Sequence, residues 1–207
     1  MSIGGGGTRV GPLIDALDMK LMAALGQHAD GISRIVLLKA NDAGIVGLST
    51  LSHGLHQFSL NYLLHTYAKP LICWGHGVVM GGGLGILAGC RYRVVSERTR
   101  IGMPEITIAL FPDVGGSWFL NQMQGHIGRF LALTSSHINA ADALFCGLGS
   151  HFLSNEQKPA LLSRLTEQNW GASAEDNQDL VAALLIDMTP SGALPDAQIE
   201  PHLETIN

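Results

Sequence analysis

With 207 residues, 46% of them apolar and only 14% charged, the chain has the composition of a globular protein with a sizeable core, not of a disordered one. A net charge of −5 and a pI near 5.9, with Lys and Arg scattered, argue against a nucleic-acid partner. In chain order, residues 1–12 form a glycine-rich, flexible start without the cationic and apolar regions of a signal peptide, so the cytoplasm is the expected compartment. From Leu13 to Leu25 the apolar residues recur at helical spacing, and Ile35 to Leu38 reads as a short buried strand. After a glycine-containing connection at Asn41 to Thr50, a helix is predicted over His53 to Tyr67, ended by Lys69-Pro70. Leu71 to Trp74 is the next strand. It enters a glycine loop, then a helix from Gly82 to Gly89, and Arg91 to Val95 returns as a strand.

Leu71 to Cys90 holds no charged residue, but seven of its twenty residues are glycine, which predicts turns and close packing instead of a membrane span. Beyond Glu105 the pattern turns helical, over Gly115 to Met123, His126 to Leu133, Ala140 to Phe145, Glu156 to Gln168 and Asp179 to Met188. His151 to Leu153 adds a short strand, and Pro190 to Asn207, with three prolines, is expected to trail over the surface or reach a neighbour. Alternating strands and helices predict an α/β fold with a parallel sheet, whose ligands gather at the carboxyl ends of the strands. The expected organisation is a flexible start at 1–12, a core at 13–153 and a helical C-terminal extension at 154–207.

Three segments carry chemistry: Gly75-His76-Gly77-Val78-Val79-Met80-Gly81-Gly82-Gly83-Leu84-Gly85, then Met103-Pro104-Glu105, then Phe111-Pro112-Asp113-Val114-Gly115-Gly116. A glycine run opening a helix exposes unpaired N–H donors to a ligand's polar atom, and two carboxylates follow in apolar surroundings: an oxyanion site with acid–base groups beside it. Structural duties compete. Asp113 could cap the helix starting near Gly115, Glu105 could be a solvated loop carboxylate, and Trp118, Phe119 and Phe130 read as core. Arg98 and Arg100 read as solvated surface. A dinucleotide site at Gly75-x-Gly77-x-x-x-Gly81 with Glu97 is disfavoured by the short helix that follows, and the chain has no Gly-Lys-Ser/Thr for a P-loop. Cys73, Cys90 and Cys146 lack C-x-x-C spacing and read as buried free thiols. His53 and His56 lie one helical turn apart with no acidic or thiol ligand to complete a set, so no metal is expected.

The phrases HTYAKP, GHGVVMGGGLG, RVVSERTRIGMPEITIALFPDVGGSWFL and FLALTSSHINAADALFCGL, between about Leu60 and Leu153, resemble the crotonase (enoyl-CoA hydratase/isomerase) superfamily, most of all its 3-hydroxyisobutyryl-CoA hydrolase branch. The resemblance implies an α/β spiral of ββα units, a homo-oligomer, no membrane association, a role in valine catabolism, and an acyl-CoA substrate with no cofactor beyond the coenzyme A it carries. It implies that the thioester oxygen meets the Gly82 N–H. Hydratases of the superfamily place a catalytic Glu where this chain has Gly85, which argues against simple hydration. The hydrolase branch instead pairs a Glu with an Asp eight residues on, matched here by Glu105 and Asp113. By resemblance, Glu105 attacks the thioester or activates water, Asp113 binds the acyl hydroxyl, and Gln57 stands where that branch has a substrate-contacting Glu. The chain departs from the pattern at 41–47, where the superfamily's second oxyanion donor resides, with Gly44 or Gly47 as spare donors, and it reads as shortened at both ends. A non-catalytic crotonase-fold protein that binds acyl-CoA or acts as a scaffold is the alternative, and an enoyl-CoA hydratase/isomerase the second.

Overall fold

The computed structural model describes residues 14–15, 36–40, 61–190 and 194–207. In chain order these contain β1 (Ile14–Asp15), β2 (Val36–Ala40), a helical stretch at 61–66, β3 (Leu71–Gly75), β4 (Val78–Met80), α1 (Gly82–Gly89), β5 (Tyr92–Val95) and β6 (Arg100–Gly102). A 3-10 turn at Pro104–Ile108 follows, then α2 (Gly116–Phe119), α3 (Ile127–Thr134), α4 (Ala140–Phe145), β7 (His151–Phe152), α5 (Lys158–Glu167), α6 (Ala174–Met188) and α7 (Leu203–Ile206). The order β1-β2-β3-β5-β7 forms one sheet, parallel throughout, and β4 pairs with β6 in a second, also parallel.

The centre of the larger sheet shows why its sequence is an unbroken apolar run. Every residue of β3 is buried, and successive side chains leave on opposite faces. Leu71 and Cys73 join a core with Leu84, Ile86 and Leu87 of α1, whereas Ile72 and Trp74 join a second core with Leu161 and Leu165 of α5 and Val181 and Leu185 of α6. Both faces of the sheet are therefore covered by helices, and α1, buried through Gly83 to Leu87, has no polar face to show.

The predicted α/β class and most elements are present, α1 over the expected residues. Four expectations need correction. Helical spacing from Leu13 predicted a helix, but Ile14–Asp15 is a strand held in parallel register with Leu38–Lys39, because adjacent apolar residues suit either period and the β2 ladder decides. The rest of that helix, and residues 53–60 of the next, lie outside the described residues. The glycine loop contains a strand, β4, whose three residues between glycines are too few to show a period. Residues 194–207 do not simply trail: Ile199 is buried in the first core, and Leu203 and Ile206 pack against it. Finally, Trp118 is half exposed instead of core, its ring edge-on to His65 at 5.0 Å between centroids.

The three cysteines are buried and none is in a disulfide, and burial pushes the Cys146 thiol up to about 11, which keeps it unreactive. Among the described residues no helix is long and apolar enough to cross a membrane.

Candidate active site

The site grows from the pairing of the two short strands. Parallel register sets Met80 opposite Gly102, so the chain leaving β4 through Gly81 and Gly82 runs beside the chain leaving β6 through Met103 to Glu105. Gly81 turns with φ 49°, a left-handed value glycine adopts without steric cost, and becomes the residue before α1. The first bond of α1 runs from the Gly85 N–H to the Gly81 carbonyl at 3.1 Å. The N–H groups of Gly82, Gly83 and Leu84 lie ahead of it, in the turn where helices have donors to spare.

Glu105 sits in the 3-10 turn that Pro104 initiates, and it is only 5% exposed. A Cβ placed on Gly81 would lie 3.8 Å from Glu105 Oε1, so the carboxylate stands against the glycine turn. Its Oε2 is buried without a hydrogen-bond partner among the described residues. Burial is the main reason the Glu105 carboxyl is held above its usual range. Its own backbone N–H opposes this, and the Asp113 charge adds to the rise.

Asp113 opens a tight turn in which the Gly116 N–H donates to the Asp113 carbonyl at 2.6 Å, with Val114 and Gly115 both left-handed at φ 45° and 88°. Asp113 does not cap α2: the residue before that helix is Gly115, which provides no side-chain bond, and Asp113 Oδ1 is buried without a partner among the described residues. Burial raises the Asp113 carboxyl as well. Glu105, buried, and Asp113, half-buried, each keep an oxygen without a partner among the described residues, and such groups can exchange a proton with a bound molecule whose oxygen carries developing negative charge.

Gly85 lies against α1's neighbours with no room to spare. A Cβ there would fall 2.7 Å from Val114 Cβ, 3.0 Å from the Val114 carbonyl oxygen and 3.0 Å from Asn61 Nδ2. No side chain fits, and a carboxylate least of all. Neither Asn61 nor Val114 stood out in the sequence, although a lone Asn in the apolar run Leu60-Asn61-Tyr62-Leu63-Leu64 is a signal for a buried polar contact. Of the other expected site residues, Gln57, Gly44 and Gly47 lie outside the described residues, as do His53 and His56. Among the described residues no group of three or more His, Cys, Asp or Glu could hold a metal. Arg98 and Arg100 are exposed, as expected.

The parallel sheet, the glycine turn at the start of α1 and the neighbouring Glu105 and Asp113 fit the crotonase-type fold that the chain shares with its structural neighbours. The enoyl-CoA hydratase/isomerase family matches residues 40–207, and the chain belongs to that family. It is similar to the probable 3-hydroxyisobutyryl-CoA hydrolase 2 of Arabidopsis thaliana, 39% identical over 139 residues that make up 65% of this chain and 35% of that protein. It is also similar to the small ribosomal subunit protein mS47 of Neurospora crassa, 40% identical over 111 residues, 54% of this chain and 22% of that protein. The chain thus spans about a third or less of the length of these two relatives. Among solved structures it resembles a carnitinyl-CoA dehydratase from Mycobacterium thermoresistibile, with a TM-score of 0.73 and 25% identity, covering 90% of this chain and 56% of that one.

Proposed function

We propose that the chain hydrolyses an acyl-CoA thioester of the 3-hydroxyisobutyryl-CoA type, with Glu105 and Asp113 as the working carboxylates and the Gly82 N–H as an oxyanion donor. The observation that carries this reading is the closed space over Gly85, where Val114 and Asn61 fill the volume a hydratase's first carboxylate would need. Glu105 and Asp113 are then the acids left to do chemistry, and both keep a buried oxygen free.

In this mechanism the thioester carbonyl oxygen accepts the Gly82 N–H, and a water oxygen bonds to the carbonyl carbon while Glu105 takes the water's proton. The carbon–sulfur bond then breaks, and the coenzyme A sulfur leaves with the proton that Glu105 returns. The products are the free acid and coenzyme A, and only water is consumed. The burial that raises Glu105 makes its ionised form a stronger proton acceptor than an exposed carboxylate. Asp113 accepts a hydrogen bond from the acyl hydroxyl, and Gln57 contributes a further polar contact to the substrate. Exposed Ile106, Ile108 and Phe111, on the segment joining the two carboxylates, fit the self-association expected of the chain.

A non-catalytic reading draws on one observation, the likeness to a protein named as a ribosomal subunit protein. The two readings separate when the purified chain is offered 3-hydroxyisobutyryl-CoA and crotonyl-CoA in parallel. Hydrolysis predicts free thiol from the first and no hydration of the second. Loss of the crotonyl double bond would point to a hydratase, and inertness toward both would leave the scaffold reading.

A further inference from the structure

The turn that carries Asp113 is built against its own sequence. A hydrogen bond from Gly116 N–H to Asp113 carbonyl, with positive φ at both residues between, is the pattern of a type I′ turn, whose central positions favour Gly, Asn and Asp. Gly115 suits its place, but Val114, with φ 45°, is β-branched, and such residues are outliers in the left-handed region. Among the described residues the other non-glycine positions with positive φ are Ala109 and Ser135, neither of them branched at Cβ in this way. A conformation of this kind persists only where surrounding structure imposes it, and such positions cluster at functional sites.

The imposing contact comes from 53 residues upstream. Asn61 Nδ2 donates to the Val114 carbonyl oxygen at 2.9 Å. Asn61 is itself held close to α1, because glycines one turn apart leave that helix without side chains on the facing side. A Cβ on Gly85 would lie 3.0 Å from Asn61 Nδ2, and one on Gly89 would lie 3.2 Å from Leu64 Cβ and 3.6 Å from the Asn61 carbonyl oxygen. The helical stretch at 61–66, the helix whose start presents the Gly82 N–H, and the turn bearing Asp113 therefore interlock around one side-chain amide.

We propose that Asn61 is a positioning residue, whose Nδ2 holds the Val114 carbonyl and the left-handed turn and thereby sets the Asp113 carboxylate at a fixed place relative to the N–H donors of α1. The inference rests on the hydrolase reading for its kinetic consequence, but the placement of Asp113 can be read without turnover. Removing the amide donor frees Val114 to leave the left-handed region, and Asp113 swings out toward water.

The test compares the whole chain with Asn61→Leu, which removes the donor while keeping a side chain of similar size, and with Asn61→Leu combined with Val114→Gly, which lets the turn form without outside help. Two quantities are read: kcat and KM for release of coenzyme A from 3-hydroxyisobutyryl-CoA, and the titration midpoint of the Asp113 carboxyl by carbon NMR. The single variant is expected to lose about a hundredfold in kcat with KM within about twofold, and its Asp113 midpoint to fall toward the ordinary carboxylate range. The double variant is expected to recover about tenfold or more in kcat and to restore the midpoint. A single variant that melts earlier yet keeps both kcat and midpoint would make Asn61 merely structural. A double variant no better than the single would mean that the turn is not what Asn61 holds. If the unaltered chain releases no coenzyme A, the hydrolase reading fails, and the midpoint alone decides the positioning role.

Discussion

Among the described residues two places bury carboxylate oxygens, and they treat them in opposite ways. Asp142, with 0% exposure, accepts the backbone N–H groups of Gln198 at 2.7 Å and Ile199 at 2.8 Å through Oδ1, and that of Asn139 at 3.3 Å through Oδ2. It completes a capping box with Asn139 at the start of α4 and ties residues 198–199 to that helix. Glu105 is buried too and Asp113 is half-buried, yet each keeps a buried oxygen with no partner among the described residues, and burial raises both carboxyls. A buried polar group left unsatisfied lowers stability; Trp74 Nε1 and Gln178 Oε1 are in the same state, and what sets Glu105 and Asp113 apart among the described residues is that both are acids. The contrast separates a carboxylate that holds the fold from the two that the proposed hydrolysis uses.

The largest expected effect that sharpens this contrast is kinetic. Glu105→Gln should lower kcat for coenzyme A release by about a hundredfold to ten-thousandfold. Asp142→Ala should leave turnover per folded molecule nearly unchanged and instead lower stability by about 3 kcal/mol, seen as an earlier urea midpoint, because three backbone donors lose a charged acceptor. Gly85→Ala should cost about 1–3 kcal/mol in the same titration, since the new methyl group meets Val114 at 2.7 Å.

The smallest effect runs the other way in sign. Glu105 has a folded-state pKa above its usual 4.5, so burial adds no penalty while the group is protonated below that value and develops one as pH rises through the raised folded value. Glu105→Gln should therefore melt slightly higher than the unaltered chain at neutral pH, with the difference vanishing as pH falls below the usual carboxylate value. A neutral-pH loss of stability in Glu105→Gln would show that the carboxylate has a structural partner after all.

Much of this was legible in the sequence because the determinants are local. The glycine run and α1 are read from adjacent residues, and the buried strand β3 from an unbroken apolar run between Lys69-Pro70 and Gly75. The positions of Glu105 and Asp113 followed from family spacing. What stayed hidden depends on distant partners. Val114 reads as an ordinary apolar residue, and only the bond from Asn61 explains its left-handed turn. The strand at Ile14–Asp15 exists because Leu38–Lys39 pairs with it, and the burial of Ile199 follows from Asp142, 57 residues earlier. Trp118 fails as a core residue because the four-residue helix that carries it turns Phe119, not Trp118, inward.

The central claim is that the two unsatisfied carboxylates are the working groups. It is tested most directly by the rate of coenzyme A release from 3-hydroxyisobutyryl-CoA, measured side by side for the unaltered chain, Glu105→Gln and Asp113→Asn. The account predicts measurable turnover that collapses in both variants while their folding is retained. Turnover indifferent to both substitutions, or none above background in the unaltered chain, would contradict it.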